Sequence, residues 1–214
     1  MIGDSSDIDD LLRRAGTGDA EALAGLFDHY RERLRQMVRL RLDRRLFGRL
    51  DPSDVLQEAY LDLAKRFPEY AAKPTLPFFL WLRWLTGQKL IDLHRRHLGT
   101  KMRDAAHEVS LHRGALLQAS SESLAAHLLG KLTSPTQAAV RAETQIRVQE
   151  AINSMDPMDR EVLVLRHFEM LSNQETAQVL GISKKAASNR YVRALERLKE
   201  ILSVPKDSIT AGPS

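Results

Sequence analysis

The chain contains no cysteine. Disulfide scaffolds, thiolate nucleophiles and cysteine-ligated zinc are therefore excluded. Strand signals are nearly absent too: no run alternates Val, Ile or Thr with polar residues between turn residues. No stretch approaches the roughly 18 consecutive apolar residues that a membrane-spanning helix needs, so no membrane insertion is expected. Met1 to Asp10 is acidic and lacks the apolar centre of a signal peptide, and the expected location is the cytoplasm. Catalytic constellations are missing as well. Asp4, Asp7, Asp9 and Asp10 crowd together, but on a stretch expected to be an unstructured tail. His94 and His97 flank Arg95 and Arg96, whose charge repels a metal ion. Neither metal, cofactor nor enzymatic site is expected.

What is present is modestly basic. Lys and Arg number 32 against 28 Asp and Glu, a formal net charge of +4 with a pI near 9.5. That balance permits an anionic partner without requiring one.

Helical spacing runs through most of the chain. After Asp19, apolar residues fall at Ala22, Leu23, Leu26, Phe27, Tyr30, Leu34, Met37 and Val38, one face of a helix. An arginine-rich stretch, Arg39 to Arg49, follows. Asp51-Pro52 reads as a helix start, with Asp51 as cap and Pro52 at the first helical position. Val55, Leu56, Ala59, Tyr60, Leu63 and Phe67 form the inward face of that helix. Pro68, Pro74 and Pro77 predict a loop over 68–77. The next helix runs from about Phe78 to His97, with Phe78, Trp81, Leu82, Leu85 and Ile91 inward. These helices make a first domain, 1–98.

Residues 99–133 are small and polar and read as a linker with one weak helix near Leu124 to Leu129. Ser134-Pro135-Thr136-Gln137 has the form of a capping box, Asp156-Pro157 repeats the device at Asp51, and Ser172 and Ser183 start further helices. They predict a second helical domain, 134–203, followed by a disordered tail, 204–214. The expected fold is all-α: two small helical domains joined by a flexible linker.

Asn173 to Leu198 carries the sharpest local signal. A short helix ends at Gly181, where a left-handed residue favours glycine. Ile182 fills the corner, Ser183 caps the next helix, and Ala177 keeps the contact between the two helices small. This is the pattern of a DNA-binding helix-turn-helix. Lys184 and Lys185 lie in the first turn of the second helix, where positive charge opposes the helix dipole at a cost of a few tenths of a kcal/mol each. Contact with DNA explains them where helix stability does not. Ser188, Asn189, Arg190, Arg193 and Arg197 continue the polar face, and Ala187, Tyr191, Ala194, Leu195 and Leu198 are expected inward.

Asp51-Pro-Ser-Asp54-Val55-Leu-Gln57-Glu58-Ala-Tyr-Leu61 resembles the acidic helix of bacterial sigma-factor region 2, D-x-x-D-L/V-x-Q-E-V/A/T-F/Y-L. The segment from Phe78 through Trp81, Trp84, Gln88, Lys89 and Asp92 to Arg95-Arg96 resembles the family's F-x-x-W-L…I-A-x-N-x-x-x-D-x-x-R-R stretch, and 173–198 resembles region 4. Both ends occur in the right order without the extra domains of housekeeping sigma factors, so the chain resembles the extracytoplasmic-function (ECF) group of RNA polymerase sigma factors. Gln88 stands where the family often has Asn, Trp84, Thr86 and Gly87 are unusual, and Arg39–Arg49 lengthens the first hairpin.

The resemblance implies core RNA polymerase as partner for Asp51, Asp54, Val55, Gln57, Glu58 and Leu61. It implies the melted −10 promoter strand for Trp84, Gln88, Lys89, Asp92, Arg95 and Arg96, and the −35 duplex for Lys184, Lys185, Ser188, Asn189, Arg190, Arg193 and Arg197. Sigma factors of this group are commonly held by an anti-sigma factor, and no residue here identifies one. In such promoters the two elements lie about two DNA turns apart, roughly 70 Å. A linker of about 35 residues reaches roughly 120 Å when extended but averages only about 30–35 Å as a free coil. The free protein is therefore expected to bind promoters poorly without the polymerase as scaffold. The rival reading is a helix-turn-helix regulator that binds DNA without joining the polymerase, but such a regulator needs a ligand or receiver domain that the first 100 residues do not suggest.

Overall fold

The computed structural model describes residues 5–98, 119–130 and 138–203. Among them every regular element is helical, and they fall into two compact units, divided between residues 118 and 119. The capping box expected at Ser134–Gln137, most of the expected linker and the tail 204–214 lie outside the described residues.

The first unit begins with α1 (Ser5–Gly16), which replaces the unstructured tail expected for the acidic N-terminal stretch. Ala15 is buried and the helix packs on α2 (Ala20–Arg41) and α3 (Pro52–Ala72). Ile8, Leu11, Leu12 and Ala15 recur at helical spacing, which gives this acidic segment one apolar edge. Gly18 turns the chain with φ 94°. Asp19 then caps α2 by accepting from Ala22 N at 3.1 Å and takes the Arg14 guanidinium at 2.9 and 2.6 Å.

α3 starts as expected. Asp51 accepts from Ser53 N at 2.7 Å, and Asp54 Oδ2 accepts from Asp51 N at 2.9 Å. It ends later than expected, because the helix runs through Pro68 to Ala72 and leaves only 73–77 as the connection. Proline in a helix interior costs about 3 kcal/mol. Aromatic packing around the helix end offsets it: Tyr70 stacks on Trp81 with ring centres 4.4 Å apart, Phe67 meets Phe78 edge-on at 6.0 Å, and the Tyr70 hydroxyl donates to Leu76 O. Each aromatic pair adds about 0.5–1.5 kcal/mol beyond its burial.

α4 (Phe78–Leu98) is buried on nearly all sides over its first half, from Phe78 to Leu82, with Leu85, Leu90 and Ile91 continuing inward. It packs against both α2 and α3. Leu26, Leu34, Met37, Leu56, Leu63, Leu82 and Leu85 form the fully buried centre, each contributing on the order of 1.5–3 kcal/mol.

The second unit opens with α5 (Ser121–Gly130), the helix anticipated near Leu124. It packs on α6 (Ala138–Asn153), so this part of the expected linker belongs to the second unit, with Leu124 and Ala125 wholly buried. Asp156 caps α7 (Pro157–Leu163), accepting from Met158 N at 2.9 Å and Asp159 N at 3.2 Å. The helix then widens into a π-helical turn, Val164–Phe168. α8 (Asn173–Leu180) and α9 (Lys184–Ser203) complete the unit. Ile152, Val162, Val164, Leu165, Ala187 and Ala194 are buried in its core.

Candidate nucleic-acid and polymerase interfaces

α8 and α9 form the helix-turn-helix from short-range forces legible in the sequence. Ser172 and Glu175 close a capping box, with Glu175 N donating to Ser172 Oγ at 3.2 Å and Ser172 N to Glu175 Oε2 at 2.7 Å. Gly181 is left-handed (φ 63°, ψ 34°), and Ile182 N reaches back to Ala177 O at 3.0 Å. Ser183 Oγ accepts from Ala186 N at 3.1 Å to start α9. Ala177 is 5% exposed and Ala187 fully buried where the helices touch. Asn173 Nδ2 donates to Lys184 O at 2.9 Å, a tie across the turn that sequence reasoning missed.

The expected DNA-facing residues separate into two groups. Lys184, Lys185, Ser188 and Asn189 are exposed along the first turns of α9, and Lys184 Nζ lies 3.4 Å from Gln174 Oε1. Arg190 and Arg193 turn back toward α7. Arg190 donates to Asp159 Oδ1 at 2.6 Å and Asp156 Oδ1 at 3.1 Å, and Arg193 donates to Asp159 Oδ1 at 3.1 Å. The Asp159 side chain is only 11% exposed. Burial pushes the Asp156 carboxyl up, but the two α7 amides and Arg190 together hold it below the usual carboxylate range. Arg190 thus ties α9 to α7, with its side chain 29% exposed. Arg193 remains 59% exposed, and Arg197 pairs with Glu200 at 3.2 Å. Leu195, expected inward, is 40% exposed. The Tyr191 ring carries Arg166 5.1 Å from its centre.

In the first unit, α3 offers Asp54, Gln57 and Leu61 along one exposed stripe, with Leu61 56% exposed. Asp51 is exposed, and its carboxylate is held below its ordinary range by the Ser53 amide. Val55 is wholly buried. It fixes α3 on the core and presents nothing to a partner, a correction to its place in the polymerase-facing set. Beside Gln57 a cleft of about 630 Å³ opens between α2 and α3, floored by Phe27, Leu56 and Tyr60 and rimmed by Asp28 and Arg31.

The other face of α3 lies along α4. Glu58 meets Arg96 at 3.4 Å, Asp62 meets Lys89 at 2.8 Å, and the Arg66 guanidinium lies 5.5 Å from the centre of the Trp84 ring. The polymerase-facing and −10-facing sets therefore meet at Glu58. Asp62 and Arg66 were missed by sequence reasoning, although 58, 62 and 66 recur every fourth residue along one stripe of the helix. A cleft of about 500 Å³ lies here, lined by Asp62, Lys65, Arg66, Trp84, Gln88 and Asp92. Trp84, Gln88 and Asp92 repeat every fourth residue, so they share one face of α4. Trp84 Nε1 and the Gln88 amide nitrogen are buried donors without a hydrogen-bond partner, a cost of about 1–3 kcal/mol each. Asp92 lies 3.8 Å from Arg95. Among the described residues no group of His, Asp or Glu is arranged to hold a metal ion, and no helix is long and apolar enough to cross a membrane.

Residues 5–204 match the family model described as ECF sigma factor. The chain belongs to the ECF sigma factor family. As a family member it has a sigma-factor role with RNA polymerase. The ECF RNA polymerase sigma factor SigD of Mycobacterium tuberculosis is 28% identical over 193 residues, covering 90% of this chain and 82% of that protein. The RNA polymerase sigma factor CnrH of Cupriavidus metallidurans is 26% identical over 199 residues, covering 92% and 95%. The solved structure of CnrH in complex with the cytosolic domain of CnrY has the same fold, with a TM-score of 0.54 at 23% identity over 92% of this ECF chain and 97% of that one.

Proposed function

We propose that this ECF sigma factor binds core RNA polymerase, directs it to promoters with −10 and −35 elements, and helps to separate the strands at −10. The observation that carries the reading is the α8–Gly181–α9 arrangement. It leaves Lys184, Lys185, Ser188 and Asn189 exposed on the start of a helix whose opposite side is packed. Such a helix fits the major groove of the −35 duplex, where a bidentate side-chain contact gives about 1–3 kcal/mol of base discrimination. The Asp54, Gln57 and Leu61 stripe, carboxylate beside exposed apolar surface, suits a basic protein face better than DNA.

Strand separation needs no cofactor in this scheme. Taking a base out of the stack costs a few kcal/mol. The α3–α4 cleft supplies the Trp84 indole with basic Lys65 and Arg66 beside it, features that favour an unpaired nucleotide. Polymerase binding supplies the remainder. The inhibitory partner is expected to be a counterpart of the CnrY domain seen with CnrH.

The test is run-off transcription with purified core RNA polymerase, with and without this chain, on DNA randomised at both promoter elements. Defined transcripts that require the chain establish the role, and the enriched sequences give its promoter. Duplex binding by the chain alone, with no transcript, returns the reading to a simple helix-turn-helix regulator.

A further inference from the structure

The arginine-rich connection between α2 and α3 belongs to none of the surfaces above. We infer that its turn, Asp43 to Arg49, is an additional DNA-backbone grip, holding phosphates of the duplex that adjoins the α3–α4 cleft. This inference rests on the promoter-binding role proposed above.

The turn is built to be rigid. Asp43 caps a 3-10 turn, Arg44–Leu46, by accepting from Arg45 N at 2.9 Å. Its two carboxylate oxygens also take the Arg45 guanidinium at 3.0 and 2.8 Å. That pair cancels its own charge and acts as a staple. Leu46 is 1% exposed and anchors the turn in the core. Gly48, with φ 86°, then reverses the chain. Arg44, Phe47 and Arg49 are left exposed, and Arg49 makes no ion pair with any described residue.

The turn is also fixed in place. Asp43 N donates to His94 Nε2 at 3.2 Å. His94 is 3% exposed in the last turns of α4, and Arg95 and Arg96 follow it in the chain. The basic turn is therefore continuous with the basic end of the helix assigned to −10 DNA. Cations at a helix C-terminus are explained by the helix dipole, but Arg49 lies just before the N-terminus of α3, where that dipole disfavours it. A guanidinium fork matches a phosphate. Phe47, half exposed between the two arginines, suits a sugar face more than open water. Contacts of this kind set position and salt dependence without reading bases.

The experiment uses holoenzyme reconstituted from core polymerase and the full chain, with promoter duplex titrated across a range of salt. Each phosphate contact contributes about 0.9 to the slope of log affinity against log salt. Arg44→Ala/Arg49→Ala should flatten that slope by about 2, with core-polymerase affinity unchanged. Arg49→Ala alone should flatten it by about 1, which keeps the test open if the double variant folds poorly. Arg44→Lys/Arg49→Lys should restore most of the slope. An unchanged slope overturns the inference, and an unchanged slope with weakened core binding assigns the turn to a protein partner instead. If wild-type holoenzyme shows no promoter selectivity, the proposed function fails on its own. The slope difference on non-specific duplex then still decides the turn.

Discussion

Arg190 on α9 and Asp159 on α7 are joined at 2.6 Å, and the carboxylate that joins them is almost sealed from solvent. Asp159 also takes Arg193, so one oxygen orients two arginines of the recognition helix. Removing the carboxylate strands the half-buried Arg190 with Asp156 alone. Asp159→Ala is expected to cost about 2 kcal/mol, below the 3–5 kcal/mol typical of a fully buried pair because Arg190 keeps some water. Urea denaturation of the full chain measures it. Asp159→Asn should recover part of the loss, since an amide oxygen still accepts.

The same geometry separates struts from readers. Lys184→Ala and Lys185→Ala should each flatten the salt dependence of −35 duplex binding by about 0.9, with stability unchanged or higher by a few tenths of a kcal/mol because a charge opposing the helix dipole is gone. Arg190→Ala should do the reverse, lowering stability and leaving the salt slope of binding in place. Equal effects of the lysine and Arg190 variants on the slope would place Arg190 in the DNA-contacting set.

These contrasts show which parts of the molecule could be read from the sequence. Asp51, Asp156, Ser172 and Gly181 act on backbone groups a few residues away, so their residue types announce the helix ends. The inward positions of α2, α3 and α4 follow from periodicity for the same reason. Most of the misreadings concern partners distant in sequence. Arg190 meets Asp159 across 31 residues and Glu58 meets Arg96 across 38, separations that no local pattern encodes. Pro68 was read as a helix stop because its intrinsic cost is local, whereas the aromatic packing that overrides it comes from α4. The acidic start was read from its charge, although Ile8, Leu11, Leu12 and Ala15 already marked the apolar edge of α1.

Two left-handed residues in the second unit make opposite predictions. Gly181 has φ 63° and Met170 has φ 60°. Gly181→Ala places a Cβ in a conformation that disfavours it and should cost about 1 kcal/mol, loosening the α8–α9 turn. Met170 bears a left-handed penalty of about 1–2 kcal/mol already. Met170→Gly relieves it but loses about 0.5–1 kcal/mol to the greater freedom of the unfolded chain, so a net gain of about 0.5 kcal/mol is expected. Met170 is 69% exposed, so little burial is lost. Thermal melting of the two variants should move in opposite directions.

The His94 contact makes the first unit sensitive to pH in a defined direction. Burial lowers the His94 pKa. Asp43 acts to raise it and Arg45 to lower it, and these are the two charged groups acting on the ring. Its Nε2 accepts from Asp43 N, which requires the neutral ring. In the unfolded chain the imidazole takes a proton near its ordinary pKa of about 6.5. As pH falls through that value, the unfolded state binds the proton first and stability drops, until the lower folded pKa is reached. Asp43 adds no slope in this range: Arg45 holds its carboxyl at about 2, so its contribution is intact above about pH 4 and is lost only toward pH 2. Wild-type melting temperature should therefore fall between pH 7.5 and 5.5. His94→Gln, whose amide oxygen can still accept from Asp43 N, should lose that part of the pH dependence. Parallel pH profiles for the two proteins would show that protonation of His94 does not govern the fold.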